Sequence, residues 1–227
     1  VDDVTMGITH VIRGNDHLSN TPKQILCYEA LDYPVPEFAH VSMILGPDRS
    51  RLSKRHGATS VQAFRDDGIL ADAMVNYLAR LGWSHGDQEI FSRKEMVEHF
   101  SLENITTSAA MFNPDKLLWL NQHYIKSMPP LELVKHWEPI LVRENILPKD
   151  HGYAAGHIAA VIPSLQERSK TLVEMARMAE FYFKEEVTFD EEAKKKHLAA
   201  DIAPLLAQVI SRLEALDNFS AAEIEAA

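Results

Sequence analysis

The hydrophobic periodicity of this chain changes once, close to residue 57, and that change limits the possible fold more than any other feature. Ahead of it, strand and helix signals alternate. Ile8 to Ile12 is β-branched and apolar at alternate places, and Gly14 and Asn15 break it. Thr21-Pro22 opens a helical run whose face carries Ile25, Leu26, Tyr28 and Leu31, ended by Pro34 and Pro36. Phe38 to Leu45 reads as a second strand, apolar enough to predict burial on both faces. Strand, helix and strand with a helix of this length predict a βαβ unit of a parallel sheet.

Beyond Ser60 the patterns are helical. Ser60 caps a short helix closed by Gly68, and Leu70 to Leu81 is closed by Gly82. Ser92-Arg93-Lys94-Glu95 is a capping box opening a run to Phe100. Asn113-Pro114, an N-cap with proline at the first helical position, opens a run to Tyr124. Pro129-Pro130 reads as a linker, followed by helices over Leu131 to Asn145, Ala154 to Ile162, Leu165 to Lys184 and Asp190 to Leu216. An α/β portion followed by mainly helical regions is the expected architecture.

Composition narrows the function classes. With 23 Lys+Arg against 33 Asp+Glu, a formal net charge of −10, the chain repels phosphate overall, so an RNA partner must meet a local basic surface. One cysteine, Cys27, excludes an intrachain disulfide and a cysteine-rich zinc site and fits a reducing compartment; in mid-helix among apolar residues it is expected in the core. No apolar run approaches the roughly 20 residues that span a bilayer, and Val1-Asp2-Asp3 is acidic where a signal peptide is basic, so a soluble cytoplasmic protein is expected. The capping box Ser220-Ala221-Ala222-Glu223 announces a helix that stops at Ala227, and the first residue is Val. Both ends therefore suggest a fragment.

One local feature carries chemistry. The segment from Gly46 to Gly57 follows the second strand and holds Arg49, Arg51, Lys54 and Arg55 against a single Asp48. A cationic turn at the carboxyl end of a parallel strand is where α/β sheets bind nucleotides, and lysine and arginine suit polyphosphate. Lys194-Lys195-Lys196, offset by Glu191 and Glu192, reads as a solvated helix face. His10, His17, His40 and His56 lack ligand spacing, so no metal site is expected. Trp83 and Trp119, at helix ends, read as packing residues.

Arg51-Leu52-Ser53-Lys54-Arg55 resembles the Lys-Met-Ser-Lys-Ser signature of class I aminoacyl-tRNA synthetases, in the form found in bacterial glutamyl-tRNA synthetases. Val11-Ile12-Arg13-Gly14 and Asp16-His17-Leu18-Ser19-Asn20-Thr21-Pro22-Lys23-Gln24 resemble the strand and helix flanking the active site in that family. Gly57-Ala58-Thr59-Ser60-Val61, Asn76-Tyr77-Leu78 with Leu81-Gly82-Trp83-Ser84, and Trp119-Leu120-Asn121 with His123-Tyr124 follow in the same order. The resemblance implies three regions. Residues 1–57 would be the C-terminal half of the Rossmann-like catalytic domain, 58–128 a stem-contact helical region and 129–227 a truncated helical anticodon-binding region.

The resemblance also implies roles. Lys54 would stabilise the pyrophosphate leaving group, and Arg51, standing where the first signature lysine is usual, would act beside it. Asp16 and His17 would line the ATP site, with Asn15 departing from the usual Glu, and Met43 and Ile44 would offer backbone contacts to adenine. Arg13 would hold the glutamate, with pairing to Asp16 as its structural alternative. ATP with Mg²⁺, L-glutamate and tRNA(Glu) are the implied substrates, with no metal site and no membrane partner. The His-Ile-Gly-His motif that grips ATP in this family is not among these residues. The chain alone is therefore expected not to activate glutamate, and its half sheet would leave an unpaired edge. The alternatives are a tRNA-binding module without catalysis and the glutamyl-queuosine tRNA synthetase branch, against which the helical run after Pro130 argues.

Overall fold

The computed structural model describes residues 1–53, 60–106, 108–184, 191–198 and 202–226. The chain forms two compact units, Val1–Phe183 and Lys184–Ala227.

The first unit opens with a four-residue helix not expected from the sequence, α1 (Asp2–Thr5), followed by β1 (His10–Gly14). A 3-10 turn over Asn15–Asn20 feeds α2 (Thr21–Ala30), which has proline at its start. β2 (Glu37–Val41) then returns parallel to β1, pairing Val11 with Phe38 and Arg13 with His40. The expected βαβ unit is thus formed. The long second strand is not continuous, however. It breaks at residues 42–43 and resumes as β3 (Ile44–Leu45), which pairs parallel with β4 (Ala110–Met111). No residue from 37 to 45 is fully buried, contrary to the two-sided burial expected. A two-stranded sheet met by one short helix cannot cover both faces, and Ile12 stays 52% exposed.

Several helices from residue 60 onward begin where a short polar side chain accepts a backbone N–H. Ser60 caps α3 (Val61–Asp66), and α4 (Ala71–Gly82) follows. Ser92 and Glu95 form a reciprocal capping box on α5 (Arg93–His99), and Asn113 caps α6 (Pro114–Ser127). The Pro129-Pro130 pair is a tight joint rather than a spacer: Pro130 is already the first residue of α7 (Pro130–Arg143). α8 (Ala155–Val161), α9 (Leu172–Met178) and α10 (Glu180–Phe183) complete the unit. The single helix expected over 165–184 is therefore two, and Thr171, whose hydroxyl accepts the Glu174 N–H, marks the start of the first.

One apolar core runs through these helices. It includes Ala73 and Tyr77 of α4, Leu117 and Ile125 of α6, Leu133, Trp137 and Leu141 of α7, Ile158 of α8 and Met175 of α9. A smaller cluster joins Trp83, Phe91 and Met96, so Trp83 packs as expected, whereas Trp119 is 48% exposed. Two fully buried asparagines hold the loops onto this core. Asn121 accepts the Leu70 N–H at 2.8 Å and donates to the Gly68 and Lys170 carbonyls at 3.3 and 2.7 Å. Asn76 accepts the Phe91 N–H at 2.8 Å and donates to the Glu89 carbonyl at 2.9 Å. The Tyr124 hydroxyl lies 2.9 Å from Asn76 Oδ1 and 2.7 Å from the Phe91 carbonyl, and burial pushes its pKa up to about 12.

The second unit contains α11 (Glu191–His197) and α12 (Ala203–Glu214), where one helix was expected over 190–216, and α13 (Ala221–Ala226), the helix that the Ser220 capping box announces. Leu205, Leu206, Val209 and Ile210 of α12 are exposed. No helix among the described residues is long and apolar enough to cross a membrane.

Candidate active site

The site is built where β1, β2 and β3 end. After β3 the backbone turns tightly and doubles back. Gly46 N–H donates to the Ser50 carbonyl at 2.8 Å, Arg49 N–H to the Gly46 carbonyl at 3.0 Å and Leu52 N–H to the Ile44 carbonyl at 2.9 Å. Asp48 stiffens the turn by accepting from the Ser50 N–H and hydroxyl at 3.0 and 2.7 Å. The left-handed position is Arg49, at φ +61, rather than a glycine. The cationic turn thus lies at the carboxyl end of the strand before it, and Arg51 forms a bridge with Leu45. Lys54, Arg55, His56 and Gly57 lie outside the described residues, so the lysine of the signature has no geometry here.

Arg51 reaches across to the loop after β1. Its Nη2 is 3.0 Å from Asp16 Oδ2, an ion pair in which the arginine side chain is 67% exposed and the aspartate 29%. Asp16 is itself positioned just after β1: a Cβ on Gly14 would run into Asp16 Oδ1, so a side chain there would displace the carboxylate. His17 Nε2 is 4.0 Å from the same carboxylate, and its Nδ1 faces the Asn20 amide at 3.4 Å. Asp16, His17 and Arg51 are therefore brought together. Met43 sits in the break between β2 and β3, and Ile44 has its carbonyl committed to Leu52.

Arg13 does not pair with Asp16. Its Nη2 donates to Thr21 Oγ1 at 2.8 Å, to Gln24 Oε1 at 2.7 Å and toward the His17 carbonyl at 3.5 Å. The guanidinium carbon lies 5.4 Å from the centre of the Phe38 ring, within cation–π range. Its Nε is buried without a hydrogen-bond partner among the described residues. Arg13, Gln24, Phe38 and Tyr28 line a cavity of ≈ 240 Å³, closed on one side by residues of α1. Tyr28 donates to Asp3 Oδ2 at 3.2 Å there, and desolvation, with the neighbouring carboxylate adding to it, raises its pKa. Cys27 lines the same cavity and is exposed, not in the core as expected, because α2 has few apolar neighbours to bury it. Thr21, Gln24 and His40 went unremarked as partners of Arg13 in the sequence. Their one signal was position, since the first two lie one helical turn apart at the start of α2. Among the described residues no group of three His, Cys, Asp or Glu side chains could hold a metal ion.

Comparison with known proteins adds three findings. Residues 1–119 match the family model for tRNA synthetases class I (E and Q), catalytic domain, and residues 132–227 match an anticodon binding domain. The chain is 57% identical over 227 residues to the glutamate–tRNA ligase of Geobacter sulfurreducens, covering 100% of this chain and 48% of that protein. It is 54% identical over 225 residues to that of Syntrophobacter fumaroxidans, covering 99% and 47%. The crystal structure of a glutamate tRNA ligase from Elizabethkingia meningosepticum in complex with its amino acid superposes with a TM-score of 0.78 at 31% identity, covering 99% of this chain and 47% of that one. The chain thus spans about half the length of the curated relatives it matches.

Proposed function

Because the chain belongs to the class I tRNA synthetases of the glutamate and glutamine group, we propose that the protein carrying it is a glutamate–tRNA ligase. In this reading a glutamate carboxylate oxygen attacks the α-phosphorus of ATP, the bond to the β-phosphate breaks and pyrophosphate leaves. A hydroxyl at the 3′ end of tRNA(Glu) then takes the glutamyl group from the adenylate, and AMP departs. Mg²⁺ would accompany the ATP phosphates. Residues 1–57 would supply part of the catalytic domain, 58–128 the stem-contact region and 129–227 part of the anticodon-binding region.

The observation that carries this reading is the cationic turn at the end of β3, pinned to the end of β1 by the Arg51–Asp16 pair. It places Arg49 and Arg51 where the strands end, and with Lys54 and Arg55 next in the sequence such a turn suits a leaving group whose charge grows in the transition state. In the proposed scheme Lys54 and Arg51 meet the pyrophosphate, Asp16, His17 and the Met43–Ile44 backbone border the nucleotide, and Arg13 holds the glutamate. The match of residues 132–227 to an anticodon-binding domain favours a tRNA ligase over the glutamyl-queuosine branch.

ATP–pyrophosphate exchange with glutamate and tRNA tests the proposal. A full-length enzyme carrying this sequence should turn over, and Lys54→Ala should reduce kcat by about 10²-fold or more. The 227-residue chain alone should give no exchange. A Lys54→Ala enzyme with unchanged kcat would overturn the assignment of the turn, and turnover by the chain alone would overturn its dependence on further residues.

A further inference from the structure

We propose that Thr21, Gln24 and His40 are positioning residues, forming a seat that aims the Arg13 guanidinium at the substrate carboxylate; this rests on the reading of Arg13 given above. The Arg13 Nη2 carries two hydrogens, and the two short contacts to Thr21 Oγ1 and Gln24 Oε1, at 2.8 and 2.7 Å, use both. Thr21 is buried, and its Oγ1 is in turn 2.9 Å from His40 Nε2. His40 faces Arg13 across the β1–β2 ladder and stacks on Phe38, the ring beneath the guanidinium. The seat therefore draws on both strands and on α2, and Thr21 and His40 each have a further contact that fixes them.

The seat satisfies one end of the guanidinium and leaves another empty. Nε is buried and has no hydrogen-bond partner among the described residues, although α2 and the turn before it provide acceptors for Nη2. A buried charged donor without an acceptor is costly, and an arginine serving only to join helix to sheet has no need of one. The Arg13 side chain lines the ≈ 240 Å³ cavity, so a ligand entering there meets a guanidinium already held from one side. A carboxylate is the group that matches a guanidinium donor in charge and geometry. A seat of this kind fixes the angle of the fork before substrate arrives, which lowers the ordering cost of binding.

Exchange kinetics in a full-length enzyme carrying this sequence test the seat. Thr21→Val keeps the shape and removes the hydroxyl. It should raise KM for glutamate about tenfold, the effect of losing one orienting charge-assisted hydrogen bond, with KM for ATP unchanged. Thr21→Ser should restore the glutamate KM. Gln24→Leu, at an exposed side chain whose loss the fold tolerates, should show the same split even if Thr21→Val does not fold. Arg13→Ala separates the two levels of the argument. If it leaves the glutamate KM unchanged, the carboxylate role of Arg13 falls and the seat falls with it. If it raises that KM while Gln24→Leu and Thr21→Val do not, the seat alone is overturned. Equal effects on both KM values, without recovery in Thr21→Ser, would also overturn it.

Discussion

Asn121 shows how much a single buried amide settles. It touches neither the cationic turn nor the Arg13 cavity, yet it ties the end of α3 to the segment before α9 through the Leu70, Gly68 and Lys170 backbones. Gly68 is fixed beside it at φ +85, and a Cβ there would lie 2.6 Å from the Val173 nitrogen. Asn121→Ala leaves the Leu70 N–H and the Lys170 carbonyl without that partner, while the Gly68 carbonyl keeps only the Leu172 N–H at 3.0 Å. It should lower stability by about 3 kcal/mol, read as a lower urea midpoint with unchanged slope. Asn121→Asp keeps the acceptor for Leu70 but turns an oxygen toward two carbonyls, and should be no more stable than Ala. Residues of this kind are half legible in a sequence. Asn76, Asn121 and Tyr124 stand inside the ordered blocks that resemble the synthetases, but their structural work depends on partners 13 to 53 positions away. Cys27 failed for the converse reason: apolar neighbours in sequence did not become neighbours in space.

At the scale of elements, starts were easier to read than continuity. Ser60, Ser92 and Asn113 each cap the helix that their side chains predict, because the signal is local: one oxygen and an N–H three residues on. Thr171 followed by Glu174 carries the same signature and was hidden inside a run with helical spacing. The break at residues 42–43 left no comparable mark, since β3 departs to pair with β4, some 65 positions later in the chain. Between α4 and α6 an ionic tie adds to the shared apolar core. Glu89 meets Arg80 at 3.1 Å and Lys116 at 2.8 Å. The hydrogen bond from Arg80 holds its carboxyl below the ordinary value of 4.5, with Lys116 adding to the effect. A lowered carboxyl stabilises the fold fully above that ordinary value and loses its contribution as pH falls through the lowered one. Glu89→Gln should therefore cost about 1 kcal/mol at neutral pH, after allowance for solvent screening, and nothing once the carboxyl is protonated in acid. Urea midpoints of both proteins across an acid titration check the convergence.

Across the whole molecule, the change of periodicity near residue 57 carried the architecture: a βαβ unit first, then helices. What composition could not convey was that the core of the first unit passes without a gap from α4 and α6 into α7, α8 and α9. Leu133, fully buried in α7, tests this continuity. Leu133→Ala should cost roughly 2–5 kcal/mol, and hydrogen exchange should show α4 amides losing protection together with those of α7. Protection lost in α7 alone would mean that the shared core does not act as one cooperative body. The candidate site was legible where it is made of adjacent residues, as in the turn and the loop that follows β1. It was illegible where strands bring distant side chains together, as with His40 and Arg13. The 227 residues also include one thiol, which lies in the open on α2, three positions from the glutamine that grips Arg13. A maleimide dye or spin label would land at that single address, next to the proposed amino-acid cavity, and would report on its filling without any engineered attachment point.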